Sequence, residues 1–173
     1  MMRAFRRGDS QSSAKGQAMV EFALVAPLFL ILLVFVFEAG RYVMYLETLN
    51  NAAREGARYA IVHGSNSGCP SGPPPGGEIN NCDPDGSNVT DRVAEAALAF
   101  ADSGELVVHD PVWWFRNDSV PARGDSSTGT NERGNHVTVF VDYSYDPVIK
   151  QIFQSHLIPT LTVSAESSLV INN

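Results

Sequence analysis

The chain has 173 residues, 12 Lys and Arg against 19 Asp and Glu, and a formal net charge of −7. That length suits one ordinary domain, and an apolar run near the N-terminus takes part of it, so any soluble core is small. Setting aside residues 1–15, where Arg3, Arg6, Arg7 and Lys15 face Asp9 alone, leaves eight basic and eighteen acidic side chains, a net of −10; with no cluster of cations after Lys15, this argues against nucleic acid as a partner, because phosphate contacts need grouped Lys and Arg to release counterions.

The first predicted element is the apolar run itself. Phe22 to Phe37 is apolar without interruption, and Glu21 is the one charge between Ala18 and Phe37. As a helix these residues span ~30 Å, about one hydrocarbon core, which predicts a single transmembrane segment over about 18–37. The basic residues before it and the acidic remainder after it place the N-terminus in the cytoplasm and everything beyond Arg41 outside it. A cleaved secretory signal fits less well, since the run exceeds a usual h-region and Phe37-Glu38-Ala39-Gly40-Arg41 lacks a small-x-small cleavage site.

The helical pattern continues past the span. Val36, Ala39, Val43, Leu46, Ala53, Ala57 and Ala60 follow a three-four spacing broken at Asn50, with Glu47, Asn51, Arg54, Glu55 and Arg58 on other faces. One helix is expected over 17–63, with Gly64 as its C-cap. The alanines suggest a surface that something approaches closely, and Gly56, a cost of ~1 kcal/mol against Ala inside a helix, asks for close packing.

Residues 64–88 turn to Gly, Pro, Ser and Asn, including Pro73-Pro74-Pro75 and Gly76-Gly77. This is a loop, and no Gly-Lys-Ser/Thr follows the glycines as a phosphate-binding loop requires. Cys69 and Cys82 enclose residues 70–81 of it. In an oxidising compartment they form a structural disulfide; a zinc site would need further ligands that the surrounding sequence does not supply.

A second helix is expected over about 89–101, capped by Ser87 or Asn88 and carrying Val93, Ala96, Ala97 and Phe100 on one side. Strands follow at 105–109, extended by 112–115, at 136–145 and at 161–171, with a polar loop at 116–135 and a helical turn at 149–157. In the second strand Val137, Val139, Val141 and Tyr143 alternate with Thr138, Phe140, Asp142 and Ser144, and in the third Leu161, Val163, Ala165, Ser167 and Leu169 share a face. Three strands make a small antiparallel sheet whose apolar face needs cover, and the half of the long helix beyond the span supplies it. The expected class is α+β: a leader at 1–16, a long helix at 17–63, a Gly/Pro-rich loop at 64–88 and an exported α+β domain at 89–173.

The most specific signal lies where the basic leader meets the apolar run: Gly16-Gln17-Ala18-Met19-Val20-Glu21-Phe22. A charge at the start of a spanning helix is costly and asks for a reason, although a Glu solvated at the headgroup level and functionally silent also accounts for it. Together the basic leader, the glycine and a Glu five residues later resemble the type IV prepilin signature. Val20-Glu21-Phe22-Ala23-Leu24-Val25-Ala26-Pro27, then Glu38-Ala39-Gly40-Arg41, then Asn51-Ala52-Ala53-Arg54-Glu55-Gly56-Ala57-Arg58-Tyr59-Ala60 narrow the resemblance to the TadE-like minor pseudopilins of the tight-adherence (Flp pilus) machinery, over residues 16–60. Gln17 stands where major pilins commonly have an apolar or aromatic residue, and the Cys-bounded loop is extra.

The resemblance implies cleavage between Gly16 and Gln17 by a prepilin peptidase at the cytoplasmic face of a bacterial inner membrane. It implies partnership with other pilins or pseudopilins and the pilus assembly platform, and no cofactor. Physical chemistry is compatible with this. Glu21 can accept a charge-assisted hydrogen bond from the new amine of Gln17 on a neighbouring subunit, offsetting its burial. Pro27, lacking the N–H that would bond back to Ala23, invites a kink or local melting there.

Other chemistry reads weakly. Asp83, Asp85 and Asp91 have calcium-loop spacings, but the twelfth position from Asp83 is Ala94, not an acid, and Asx-turns leading into a helix explain the same residues. His63, His109, His136 and His156 show no metal-ligand spacing, with His109 and His136 expected at strand edges, and no nucleophile elbow is present, so an enzyme is not expected. Trp113-Trp114 fits a partner surface, a cap on a small core or a headgroup contact equally. The competing functions are a monomeric, single-pass anchored binding protein and, behind it, a membrane-anchored hydrolase.

Overall fold

A computed structural model describes residues 10–97, 105–153 and 158–172. Arg3, Arg6, Arg7, Phe100 and His156 lie outside the described residues. The chain divides into two compact units, Met1–Gly40 and Arg41–Asn173. The first helix, α1, is Ser10–Val62 and runs through Pro27 without interruption.

Within the second unit the rest of α1 forms the spine. Its buried positions are Tyr45, Leu49, Ala52, Ala53, Ala57 and Ala60, a stripe at three-four spacing that bears out the small-residue surface from Ala53 onward. Closer to the apolar run the expected phase is wrong: Val43 is 55% exposed and Val36 61% exposed, while Tyr45 and Leu49 take the inward positions. The reason is size and partner, since Tyr45 finds the rings of Tyr143 and Tyr145 at 5.0 and 4.8 Å, edge to face. Asn50 stays on the helix by donating from its Nδ2 to the Leu46 carbonyl at 2.9 Å.

Gly56 has the packing reason its position demanded. A Cβ there would collide with Cγ2 of Val93 and meet the Val89 carbonyl oxygen at 3.5 Å and Val139 Cγ1 at 3.6 Å. The helix backbone thus lies directly against α2, Ser87–Ala96, and the sheet behind it. The cap of α2 differs from expectation. Gly86, left-handed at φ 80°, takes the cap position, while Asp83 reaches in to accept from the Ser87 hydroxyl at 3.0 Å and the Asn88 amide at 3.2 Å. A buried carboxylate at a helix N-terminus is favoured by the free N–H groups there.

The sheet is antiparallel, with β3, His136–Tyr145, at its centre and β4, Leu161–Val170, paired to it along its whole length from His136↔Val170 to Tyr145↔Leu161. The expected first strand is two: β1, Glu105–Val108, opposite 141–144, and β2, Val112–Trp114, opposite 136–138. They lie in line along one side of β3, interrupted where Pro111 cannot donate to a ladder. Val137, Val139, Val141, Tyr143 and Tyr145 with Val163 and Ala165 face the core shared with α1, α2 and Ile171.

The opposite face is not left to water. Loop 116–135 folds back, with Thr128 and Gly129 donating to the Trp113 carbonyl at 3.0 and 2.9 Å, and Arg123 lies 5.9 Å from the Phe140 ring. Trp114 donates from Nε1 to Thr138 at 2.9 Å, and Thr138 donates on to Ser168 at 3.1 Å. Both tryptophans are buried, Trp113 in the main core and Trp114 on this second face. The core reading of the pair is the one observed. The last helix, α3, is Val148–Phe153.

Loop 64–88 is held by three devices. Cys69 and Cys82 are joined, with Cα atoms 5.4 Å apart. Asn80 bonds the Pro70 and Gly72 carbonyls at 2.9 and 3.0 Å. Asn131, wholly buried, reaches from the other loop to the Ser71 carbonyl at 3.1 Å. Gly72 and Gly86, both at positive φ, lie flat on the Trp113 indole, where a Cβ at either would overlap the ring.

Two predictions follow from this packing. Gly56→Ala should lower stability by about 1–2 kcal/mol, because overpacking against stiff Val93 outweighs the propensity gain; a denaturant midpoint at or above that of the parent would contradict the close approach. Thiol labelling of the folded chain without reductant should be negligible, and reduction should destabilise it by ~3 kcal/mol from the loop closed by the bridge. Full labelling of both cysteines before reduction would contradict the pairing.

Candidate functional site

Gly16, Gln17, Glu21 and Pro27 all lie on α1 in the first unit. The most apolar stretch of the helix has a mean hydropathy of 2.8 and none of it is buried within the chain. Phe22 and Leu24 are 73% and 74% exposed. A soluble core helix would bury such residues, so this one is consistent with single-pass anchoring in a membrane. Glu21 accepts a hydrogen bond from Gln17 Nε2 at 3.2 Å, one helical turn away. A Cβ on Gly16 would meet nothing within 4 Å.

The structure brings together groups that the sequence did not flag. Asp142, on the sheet face away from α1, is contacted by His109 Nε2 at 2.8 Å and Arg123 at 3.1 Å. This joins the turn after β1, loop 116–135 and β3 into one charged knot over Phe140. Such a knot fixes the loop's course, and alternation along β3 put Asp142 on the right face without revealing its partners. His109 adjoins the end of edge strand β1 as expected. His136 instead opens the central strand, its ring stacked on Trp114 at 4.3 Å.

A second cluster is aromatic. Arg41 donates to the Tyr45 hydroxyl at 2.9 Å and lies 5.6 and 5.4 Å from the Tyr45 and Tyr145 rings. At the end of β3, Asp146 accepts from Lys150 at 2.6 Å and from Thr160 at 2.7 Å. Those bonds, Lys150 first, hold its carboxyl below the usual aspartate range.

The acidic residues of loop 64–88 act locally. Asp83 caps α2, and Asp85 accepts from the Ser87 amide at 3.2 Å. Among the described residues, no three His, Cys, Asp or Glu side chains gather as a metal ion would need.

Comparison with known proteins bears on the first unit and the start of the second. Residues 16–58 match the family model described as TadE-like protein. No curated protein and no solved structure matches the chain. The matched segment opens on Gly16, takes in the whole apolar run and Glu21, and ends at Arg58 on the packed part of α1. Over this segment the chain is similar to the TadE-like protein family, and its long N-terminal apolar helix and small antiparallel sheet make a pilin-like α+β arrangement.

Proposed function

We propose that this chain is a minor pseudopilin of a tight-adherence (Flp) pilus, anchored in the bacterial inner membrane by α1, cut by a prepilin peptidase between Gly16 and Gln17, and active in pilus assembly, not in catalysis. The observation that carries the reading is the TadE-like match over residues 16–58, which begins at the proposed cleavage residue. Two features of the helix support it. Glycine inside a helix costs ~1 kcal/mol against alanine, yet among the described residues nothing packs against Gly16. The demand for a residue without a side chain then comes from outside the chain, as a peptidase active site would impose it. The apolar surface of the same helix, none of it buried within the chain, is suited to lipid before assembly and to neighbouring helices after it.

In this reading Gln17 becomes the first residue of the mature chain and Glu21 the fifth. The amine released at Gln17 on one subunit pairs with the Glu21 carboxylate of the next, a charge-assisted bond that compensates the cost of holding a carboxylate in a low-dielectric bundle. Pro27 removes one rung of the ladder in the middle of the apolar run, giving the helix a place to bend as it leaves the bilayer. The partners are the peptidase, other pilins or pseudopilins and the assembly platform.

One observation favours the alternative, a monomeric anchored binding protein. Gln17 already satisfies one Glu21 oxygen within the same helix, so a solvated Glu21 needs no neighbour. The two readings part on charge. Glu21→Gln keeps size and hydrogen-bonding capacity and lowers the cost of insertion. The pseudopilin reading expects normal membrane abundance with helix-to-helix crosslinking and pilus output both reduced; wild-type values for both, at equal abundance, would favour the monomeric anchor.

A further inference from the structure

The two edges of the sheet differ. On one side of β3 the ladder is carried by β1 and β2, of four and three residues, and between them Pro111 has no N–H to offer. On the other side β4 runs ten residues in register with β3 and without a bulge. Among the described residues no strand pairs with β4 on the side away from β3. Just past its end, Ile171 accepts from the Gly134 amide and donates to the Asn135 carbonyl, both at 2.9 Å. Soluble proteins protect an open edge with short strands, proline, bulges or a lysine. β1 and β2 with Pro111 use the first two devices. β4 uses none of them, and its one charge is Glu166.

A row of outward N–H and C=O groups along a strand is matched by one chemistry, another extended backbone. The side chains of β4 narrow the choice. Along its core face Val163 and Ala165 are buried while Leu161 and Leu169, towards the two ends, are only half-buried. On its other face Thr162 and Ser168 are tied to β3 through Ser144 and Thr138. Ser164 and Glu166, between them, are exposed.

We propose that β4 is the interface through which a second copy of this chain adds to the sheet, antiparallel and edge to edge. Residues directly opposite share a face, so a two-fold contact centres on one residue facing its own copy. Centring on Glu166 would set two carboxylates against each other, which is destabilising. Centring on Ser164 would leave 168–170 without partners. Centring on Ala165 pairs 161–169 along their whole length. The core face then sets Leu161 against Leu169 and Val163 against Ser167, covering both leucines. The exposed face sets Thr162 against Ser168 and Ser164 against Glu166, whose carboxylate accepts from the serine hydroxyl. The β1–β2 edge is too short and too interrupted to take β4, so copies pair β4 to β4, a contact that closes at two chains. There is room for it. The packed part of α1 lies over β3, with Tyr45 on Tyr143 and Gly56 against Val139. The two copies of β3 would be three strand spacings apart, ~14 Å, and helices pack at about 8–10 Å, so the two α1 segments clear each other. Repulsion between the acidic chains is screened over ~8 Å at physiological ionic strength. The proposal concerns the second unit alone and does not rest on cleavage or on the role of Glu21.

The test uses the full chain in detergent, coexpressed as Ser164→Cys and Glu166→Cys forms and mildly oxidised; the native cysteines are joined and do not compete. Directly opposite residues have Cα atoms about 4.5–5.5 Å apart, within disulfide reach, whereas diagonal ones are about 7–8 Å apart. Linked dimers should therefore form several-fold more from the mixture than from either form alone. Separately, Ser164→Glu sets like charges opposite each other and should lower the dimer fraction several-fold, and adding Glu166→Lys to it should restore that fraction. Both positions are exposed, so the fold tolerates the changes. A mixture that links no better than its single forms would overturn the proposal. Dimers that persist at the parent level in Ser164→Glu would assign association to another surface, the apolar helix included, and overturn it as well.

Discussion

The architecture beyond Arg41 depends on how closely α1 approaches its neighbours. Ala52, Ala53, Gly56, Ala57 and Ala60 strip the helix to its backbone along one side, so that Val93 of α2 and Val139 of β3 reach it directly. Dispersion falls off within an ångström of a gap, and a small domain with few large apolar residues has little else to build a core from. Where the approach widens, larger groups fill the space: Tyr45 and Leu49 at one end, Trp113 at the other. The sheet's outer face then needs separate cover, and loop 116–135 provides it through the Arg123–Asp142–His109 knot.

The same helix meets two different surroundings. From Phe22 to Phe37 every face is apolar and none is buried, and from Arg41 one side is small and packed while Arg54, Glu55 and Arg58 stay in water. A helix confined to one solvent would not change pattern at a single turn. That change, with a glycine and a glutamate at the foot of the apolar part, is what supports reading α1 as both anchor and assembly element.

Much of this was legible in the residues. The long apolar helix, the two faces of β3 and β4 and the disulfide loop follow from run length, alternation and composition, because those patterns are local and the physics behind them is one-dimensional. What escaped was set by contacts distant in sequence. Tyr45 replaced Val43 on the inner stripe because the rings of Tyr143 and Tyr145, about a hundred residues on, were waiting for it. Asp83 displaced Ser87 and Asn88 as the cap of α2 by reaching across a turn. The glycines at 72 and 86 read only as loop residues until Trp113 lay on them. In the proposed site Gly16 and Glu21 were conspicuous from the start, since each breaks a rule of its own segment.

Processing is the claim on which the functional account turns, and the mass of the mature chain tests it most directly. Protein extracted from the membranes of the cells that naturally make it should begin at Gln17, lighter by residues 1–16. A chain that retains those residues in the membrane pool and in any assembled pilus would contradict the account.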